Sequence, residues 1–179
     1  PFVHRAPSHG RMVITATNAA AERTGIRNGM VLADARAIVP DLEVLDDKPD
    51  LTDKLLNRIA EWYIRFTPVV AVDSPNGLIL DATGCSHLWG GDLSYTSEIV
   101  KKLNGRGYDV RAAMADTIGA AWGIVRFAKE PLVIAAGSHT EALMELPPEA
   151  LRLELDTAER LHKLGLHRVR QFINMPRAS

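Results

Sequence analysis

Only one of the 179 residues is a cysteine, Cys85. No intrachain disulfide can form, and a reducing compartment, the cytoplasm, is the expected setting. No apolar run reaches the length that spans a membrane, and no signal peptide is legible. Charge is nearly balanced, with 21 Lys and Arg against 22 Asp and Glu. A net charge of -1 excludes strong, sequence-independent nucleic-acid binding as the character of the whole chain. Repeats and low-complexity segments are absent. No glutamate occurs between Asp73 and Asp81, and no acid follows Glu159. The chain opens on Pro1 rather than Met and closes just after Pro176-Arg177. Both ends are read as cut from something longer, with an N-terminal element missing.

What is present is the composition of a globular protein, long enough for one large domain or two small ones with a real core. Its centre is the run from Val69 to Gly84. Two aliphatic stretches flank Pro75-Asn76-Gly77, and Asn-Gly supplies the positive-φ residues of a tight hairpin. Asp73 ends the first stretch and Asp81 the second. Acids in such places are costly unless they bind a metal, cap a turn or face water.

Arg11 to Thr17 reads as a strand, Asn18 to Thr24 as a short helix stopped by Gly25, and Val31 to Val39 as a second helix. Leu42 to Leu45 is a short strand. A helix from Asp50 to Phe66 follows, with Asp50 as N-cap and Leu51, Leu55, Ile59, Trp62 and Phe66 on one core-facing side. After the hairpin, a loop from Gly84 to Gly91 feeds a helix from Asp92 to Leu103. Val110 to Ala115 is a strand, Thr117 caps a helix to Ala128, and Leu132 to Ala135 is a last strand. Gly119, Ala120 and Ala121 let the helix after Thr117 lie close to a sheet. Helical segments fit Thr140 to Leu146, Asp156 to Leu164 and Arg168 to Met175, with Leu161, Leu164 and Leu166 packing the turn between the last two. Pro147-Pro148 marks a joint. The order implies an α+β architecture with helices on one face of an antiparallel-centred sheet. The basic residues after Glu159, namely Arg160, Lys163, Arg168, Arg170 and Arg177, fit either a DNA-contacting face or a solvated one.

At the hairpin the sequence resembles the Y-family, or translesion, DNA polymerases. Ala16-Thr17-Asn18 through Gly25 to Met30 is similar to the fingers signature, Asp73 and Leu80-Asp81 to the palm hairpin, and Thr157 to Leu166 to the first thumb hairpin. The stretches from Gly29 to Ala37, Leu80 to Gly91 and Ala115 to Trp122 resemble more specifically the ImuB group of bacterial mutagenesis cassettes. The resemblance implies fingers over 1–66, a ferredoxin-like palm over 67–137 lacking its N-terminal strand, and a helix-hairpin-helix thumb over 138–179.

It also shows what has changed. Phosphoryl transfer needs two divalent cations about 3.5–4 Å apart held by several carboxylates. Asp73 matches the Asp of the family's Asp-Glu pair, but Ser74 follows it, and a hydroxyl does not replace a carboxylate's charge. The family's first acid lies on the strand that this chain does not contain. A Tyr, an Arg and a Lys hold the triphosphate in active members; Ala19, Glu22 and Trp122 stand at the matching positions. The thumb's Pro-Gly-x-Gly turn reads Leu151-Arg152-Leu153-Glu154, with neither glycine, so DNA contact falls to the side chains of Lys163, Arg168 and Arg170 and should be weak and salt-sensitive.

Asp73 is therefore read as a solvated turn acid, Asp81 as a cap of the Thr83-Gly84 turn, and Asp116 as a helix-start acid beside Thr117. Cys85 and His87 are too few for a zinc site. Trp89 and Trp122 are read as core packing before interface anchors. The resemblance implies an inactive polymerase homologue that serves as a hub in damage-induced mutagenesis, with no cofactor. Its partners would be DNA, an error-prone DnaE-type polymerase, a RecA-like protein and the sliding clamp, met mainly outside this chain. The rival reading is an active error-prone polymerase with a rearranged Mg²⁺ site drawn from Asp73, Asp81 or Asp116.

Overall fold

The computed structural model describes residues 1–130 and 132–175, with the side chain of residue 49 left aside. Two units emerge: Pro1–Trp62 with Ala71–Leu78, and Tyr63–Val70 with the chain from Ile79 on.

The first unit opens on a strand that the sequence reading passed over. β1 (Phe2–Ser8) pairs antiparallel with β2 (Arg11–Thr17) and parallel with β3 (Glu43–Asp46), giving a mixed sheet of order β2-β1-β3. His9 (φ 48°) and Gly10 (φ 77°) make the hairpin turn, both in the left-handed region that matches the twist of the flanking strands. Pro7 and the polar His4 and Arg5 break the apolar alternation of β1, and only Val3 is fully buried in it. α1 (Ala19–Arg23) starts where Asn18 Oδ1 accepts from Ala21 N at 2.9 Å. The same oxygen accepts from Phe2 N at 3.2 Å, tying the helix start to β1. α2 (Leu32–Ile38) completes a core of Val3, Ile14, Ala21, Ile26, Leu32, Ala35 and Leu42.

α3 runs over Pro49–Tyr63, three residues shorter at its C-terminus than expected. Its apolar stripe is not uniformly core. Leu51 is 57% exposed and Leu55 38%, whereas Tyr63 and Phe66, the latter beyond the helix, are buried. Burial starts at the end of the stripe, where rings replace leucines.

In the second unit Phe66 sits among rings: Tyr63 at 5.1 Å, Trp89 stacked at 4.4 Å and Tyr95 edge-on at 6.2 Å. Trp89 closes a short 3₁₀ turn, Ser86–Trp89, and Tyr95 lies on α4 (Asp92–Asn104). Burial pushes both tyrosine hydroxyls up to about 12, and Tyr63 donates to the Ile99 carbonyl at 2.9 Å. α5 (Ile118–Phe127) is capped by Thr117, whose hydroxyl accepts from Ala120 N at 3.2 Å. Ala120 and Ile124 of α5 pack with Ile134, Leu146 and Ala150 as a second core.

The strands expected at 110–115 and 132–135 reduce to one parallel bridge, Met114 to Val133, in which Met114 bonds Leu132 and Ile134. Ala112, Ala113 and Ala115 carry little of the β-branched surface that extends a ladder. The helical segments after residue 138 are α6 (His139–Leu143), a 3₁₀ turn Pro148–Leu151 and α7 (Leu155–Lys163). Arg168 to Met175 is not a helix: it holds the 3₁₀ turn Val169–Gln171, because the Gln171 side chain accepts from both His167 N and Arg168 N and closes the chain tightly. Leu164 is 75% exposed and does not pack the preceding turn.

Candidate functional site

The central hairpin forms as read, with β4 (Val70–Asp73) and β5 (Gly77–Leu80) as a two-stranded sheet. The Ser74-Pro75 peptide is cis. Asp73 closes β4 beside the turn and is half-buried. Ser74, the residue that the resemblance aligns with a second carboxylate, is engaged: its Oγ donates to Asp53 Oδ1 on α3 at 2.8 Å. Asp53 thus bonds the serine across 21 positions, a pairing that no spacing rule reveals.

Asp81 follows β5 at the open end of the hairpin, where its N–H bonds the Val69 carbonyl at 3.0 Å. Its Oδ1 accepts from Thr83 N at 2.9 Å, and these bonds to Thr83 hold the carboxyl below its usual range. The buried Thr67 donates to the Asp81 carbonyl and accepts from Val69 N. Asp81 is a turn cap. Asp116 does more than begin a helix. Its Oδ2 accepts from Gly137 N at 2.6 Å and from His139 Nδ1 at 3.3 Å, and these contacts, Gly137 first, hold its carboxyl low.

Both carboxyls are depressed below the ordinary 3.8. The stability they contribute is present above that value and is lost as pH falls through their folded values. Thermal melts between pH 6 and 3 should show an acid limb that begins below 3.8. Asp116→Asn should make that limb measurably shallower and leave the neutral-pH plateau nearly unchanged, since both groups are exposed.

Of the residues that the resemblance aligns with triphosphate ligands, Ala19 is exposed at the start of α1 and offers no polar group. Glu22 Oε1 accepts from Thr17 Oγ1 at 3.0 Å, and its carbonyl takes Arg27 Nη1 at 2.6 Å. Trp122 on α5 is half-buried, and its ring lies under Arg126 Cζ at 4.2 Å and Arg152 Cζ at 4.9 Å. Two guanidiniums therefore flank the indole, a cluster that the sequence alone does not show. Arg126 is one turn from Trp122 and could have been found by spacing; Arg152, from another element, could not.

The resemblance aligns Arg152 with the first glycine of the family's thumb turn. It adopts φ 56° and ψ 33°, the left-handed conformation that glycine takes most readily. Of the three basic candidates, Arg168 and Arg170 converge on one carboxylate, Glu145. Lys163 lies apart on α7, 3.9 Å from Glu159. Arg177 falls outside the described residues. Among the described residues no three His, Cys, Asp or Glu side chains meet as a metal site, and Cys85 is a half-buried free thiol.

The family model described as the impB/mucB/samB family matches residues 3–126. The chain belongs to that family, the Y-family polymerases. The impB/mucB/samB relatives include the protein named ImuB in two strains of Caulobacter vibrioides, each 43% identical over 154 residues, or 86% of this chain. The chain spans 34% of the length of those curated relatives. Among solved structures, DinB from Sulfolobus solfataricus superposes with a TM-score of 0.72 at 20% identity, covering 98% of this chain and 53% of that one. An insertion ternary complex of Dbh DNA polymerase gives the same TM-score at 19% identity and the same coverage. These likenesses give the fold: the fingers and palm of a Y-family polymerase, as expected from the sequence. No helix among the described residues is long and apolar enough to cross a membrane.

The fold family implies Mg²⁺, and among the described residues no three His, Cys, Asp or Glu side chains meet to hold it. Mg²⁺ demands several oxygens in near-octahedral array. Here Ser74 is bonded to Asp53, Asp81 is committed to Thr83, and Asp116 to Gly137 and His139.

Proposed function

We propose that this chain is the polymerase-like core of an accessory protein in damage-induced mutagenesis and translesion synthesis, and that it does not itself add nucleotides. The observation that supports this reading is the bond of the Ser74 hydroxyl to Asp53 at 2.8 Å, at the position that the resemblance aligns with the family's second carboxylate. The degenerate Ala19, Glu22 and Trp122 support it. Residues 1–66 act as fingers, 67–137 as palm and 138–179 as thumb in this reading. Its setting is the cytoplasm, it needs no cofactor, and it holds DNA weakly through Lys163, Arg168 and Arg170. By resemblance to the ImuB group, its partners are an error-prone DnaE-type polymerase, a RecA-like accessory protein and the sliding clamp, met mainly through segments outside this chain.

The rival reading, an active polymerase with a rearranged metal site, is favoured by one observation: Arg126 and Arg152 place two cations at Trp122. Calorimetry on the full-length protein with a primer-template, Mg²⁺ and the matched nucleotide separates the two. The accessory reading expects no Mg²⁺-dependent nucleotide uptake. Tight uptake, abolished by Asp73→Ala, would establish the rival.

A further inference from the structure

Arg168 and Arg170 flank Val169, which is fully buried. Both guanidiniums lie at the surface, where each is about half exposed. The backbone beneath them is fixed. Val169 N donates to the Leu146 carbonyl and Arg170 N to the Met144 carbonyl, each at 3.0 Å. Gln171 Oε1 accepts from His167 N and Arg168 N, each at 2.8 Å. Glu145 lies between the two acceptor residues of this seam, so the seam that seats the arginines also delivers the carboxylate. Glu145 Oε1 takes Arg170 Nη1 at 2.7 Å, and Oε2 takes Arg168 Nη1.

One carboxylate with each oxygen on a different guanidinium has the geometry of a bound phosphodiester, since the guanidinium fork matches both anions. Half-exposed pairs of this kind contribute little to stability, so Glu145 is displaceable. We propose that Arg168 and Arg170 form a clasp for one DNA backbone phosphate, that Glu145 occupies it in the free chain, and that DNA binds by displacing Glu145. The proposal rests on the DNA-contact reading above and adds its regulation: the affinity is held low by a built-in competitor.

The test uses fluorescence anisotropy of a labelled primer-template with the intact protein between 50 and 200 mM salt. Glu145→Gln keeps the shape and removes the charge. It should tighten binding about three- to tenfold at low salt and steepen the salt slope by about one phosphate contact. In an Arg168→Ala/Arg170→Ala background the same change should have no effect, which separates displacement from a general loss of negative charge. Glu145→Ala, with thermal melts of every variant, guards against a folding artefact. If Glu145→Gln leaves affinity unchanged or weaker while the arginine variants lose it, the competitor role is overturned and the DNA reading stands. A gain that persists without the arginines also overturns it. If the double arginine variant keeps wild-type affinity and salt slope, the DNA reading falls as well.

Discussion

Phe66→Ala is expected to destabilise the protein by about 3–5 kcal/mol, a large share of a domain's marginal stability. The ring is 3% exposed and meets three others: Trp89 stacked at 4.4 Å, Tyr63 at 5.1 Å and Tyr95 at 6.2 Å. Each well-placed aromatic pair adds roughly 0.5–1.5 kcal/mol beyond the area it buries. Truncation leaves a cavity whose walls are rings on the 3₁₀ turn Ser86–Trp89, on α4 and at the end of α3, and such walls collapse poorly. A fall in melting temperature of about 6–20 °C should follow. Leu51→Ala, on α3 but 57% exposed, should cost less than about 1 kcal/mol. Equal losses at the two sites, read by circular dichroism, would contradict the placement of the core.

Gly123→Ala is the second large effect. A Cβ built at Gly123 would sit 2.4 Å from the Ala150 carbonyl oxygen and 3.2 Å from its carbon. The obstacle is backbone, so no side chain can turn aside. Either α5 or the 3₁₀ turn Pro148–Leu151 must retreat, at a cost of about 1–3 kcal/mol or somewhat more. Retreat would draw Arg152 away from the Trp122 ring, now 4.9 Å from its Cζ. Tryptophan emission should therefore change together with stability. Gly119→Ala on the same helix meets nothing within 4 Å and should be neutral or stabilising by up to about 1 kcal/mol, since alanine favours helix over glycine. Matching behaviour of the two glycines would refute the close approach.

These two sites also mark how far the sequence could be read. Periodicity and caps gave α4 and α5, including the Thr117 cap, because those signals are local. The close approach was expected at Gly119, Ala120 and Ala121 against a sheet. It lies instead at Gly123, against a carbonyl 27 positions away, and the packing partner is a turn. β1 was missed because Pro7, His4 and Arg5 hide its alternation and the His9-Gly10 turn lacks the usual asparagine. The stripe of α3 was legible, but period alone does not say how much of a stripe is covered. At the site, the reading of Asp73-Ser74, Ala19, Glu22 and Trp122 as substituted positions rests on the resemblance alone. What engages the site residues was not legible: Asp53 on Ser74, Arg152 on Trp122 and Glu145 on Arg168 and Arg170 are all tertiary pairings.

Primer extension by the full-length protein is the most direct test of the central claim. A labelled primer-template is incubated with all four nucleotides and either Mg²⁺ or Mn²⁺, beside the Asp73→Ala variant. No extension by either protein under either metal is the predicted result, because the proposed function reads Ser74, bonded to Asp53, in place of the glutamate of the family's Asp-Glu pair. Template-directed extension by the wild type, lost in Asp73→Ala, would contradict the account and make this hairpin an active site.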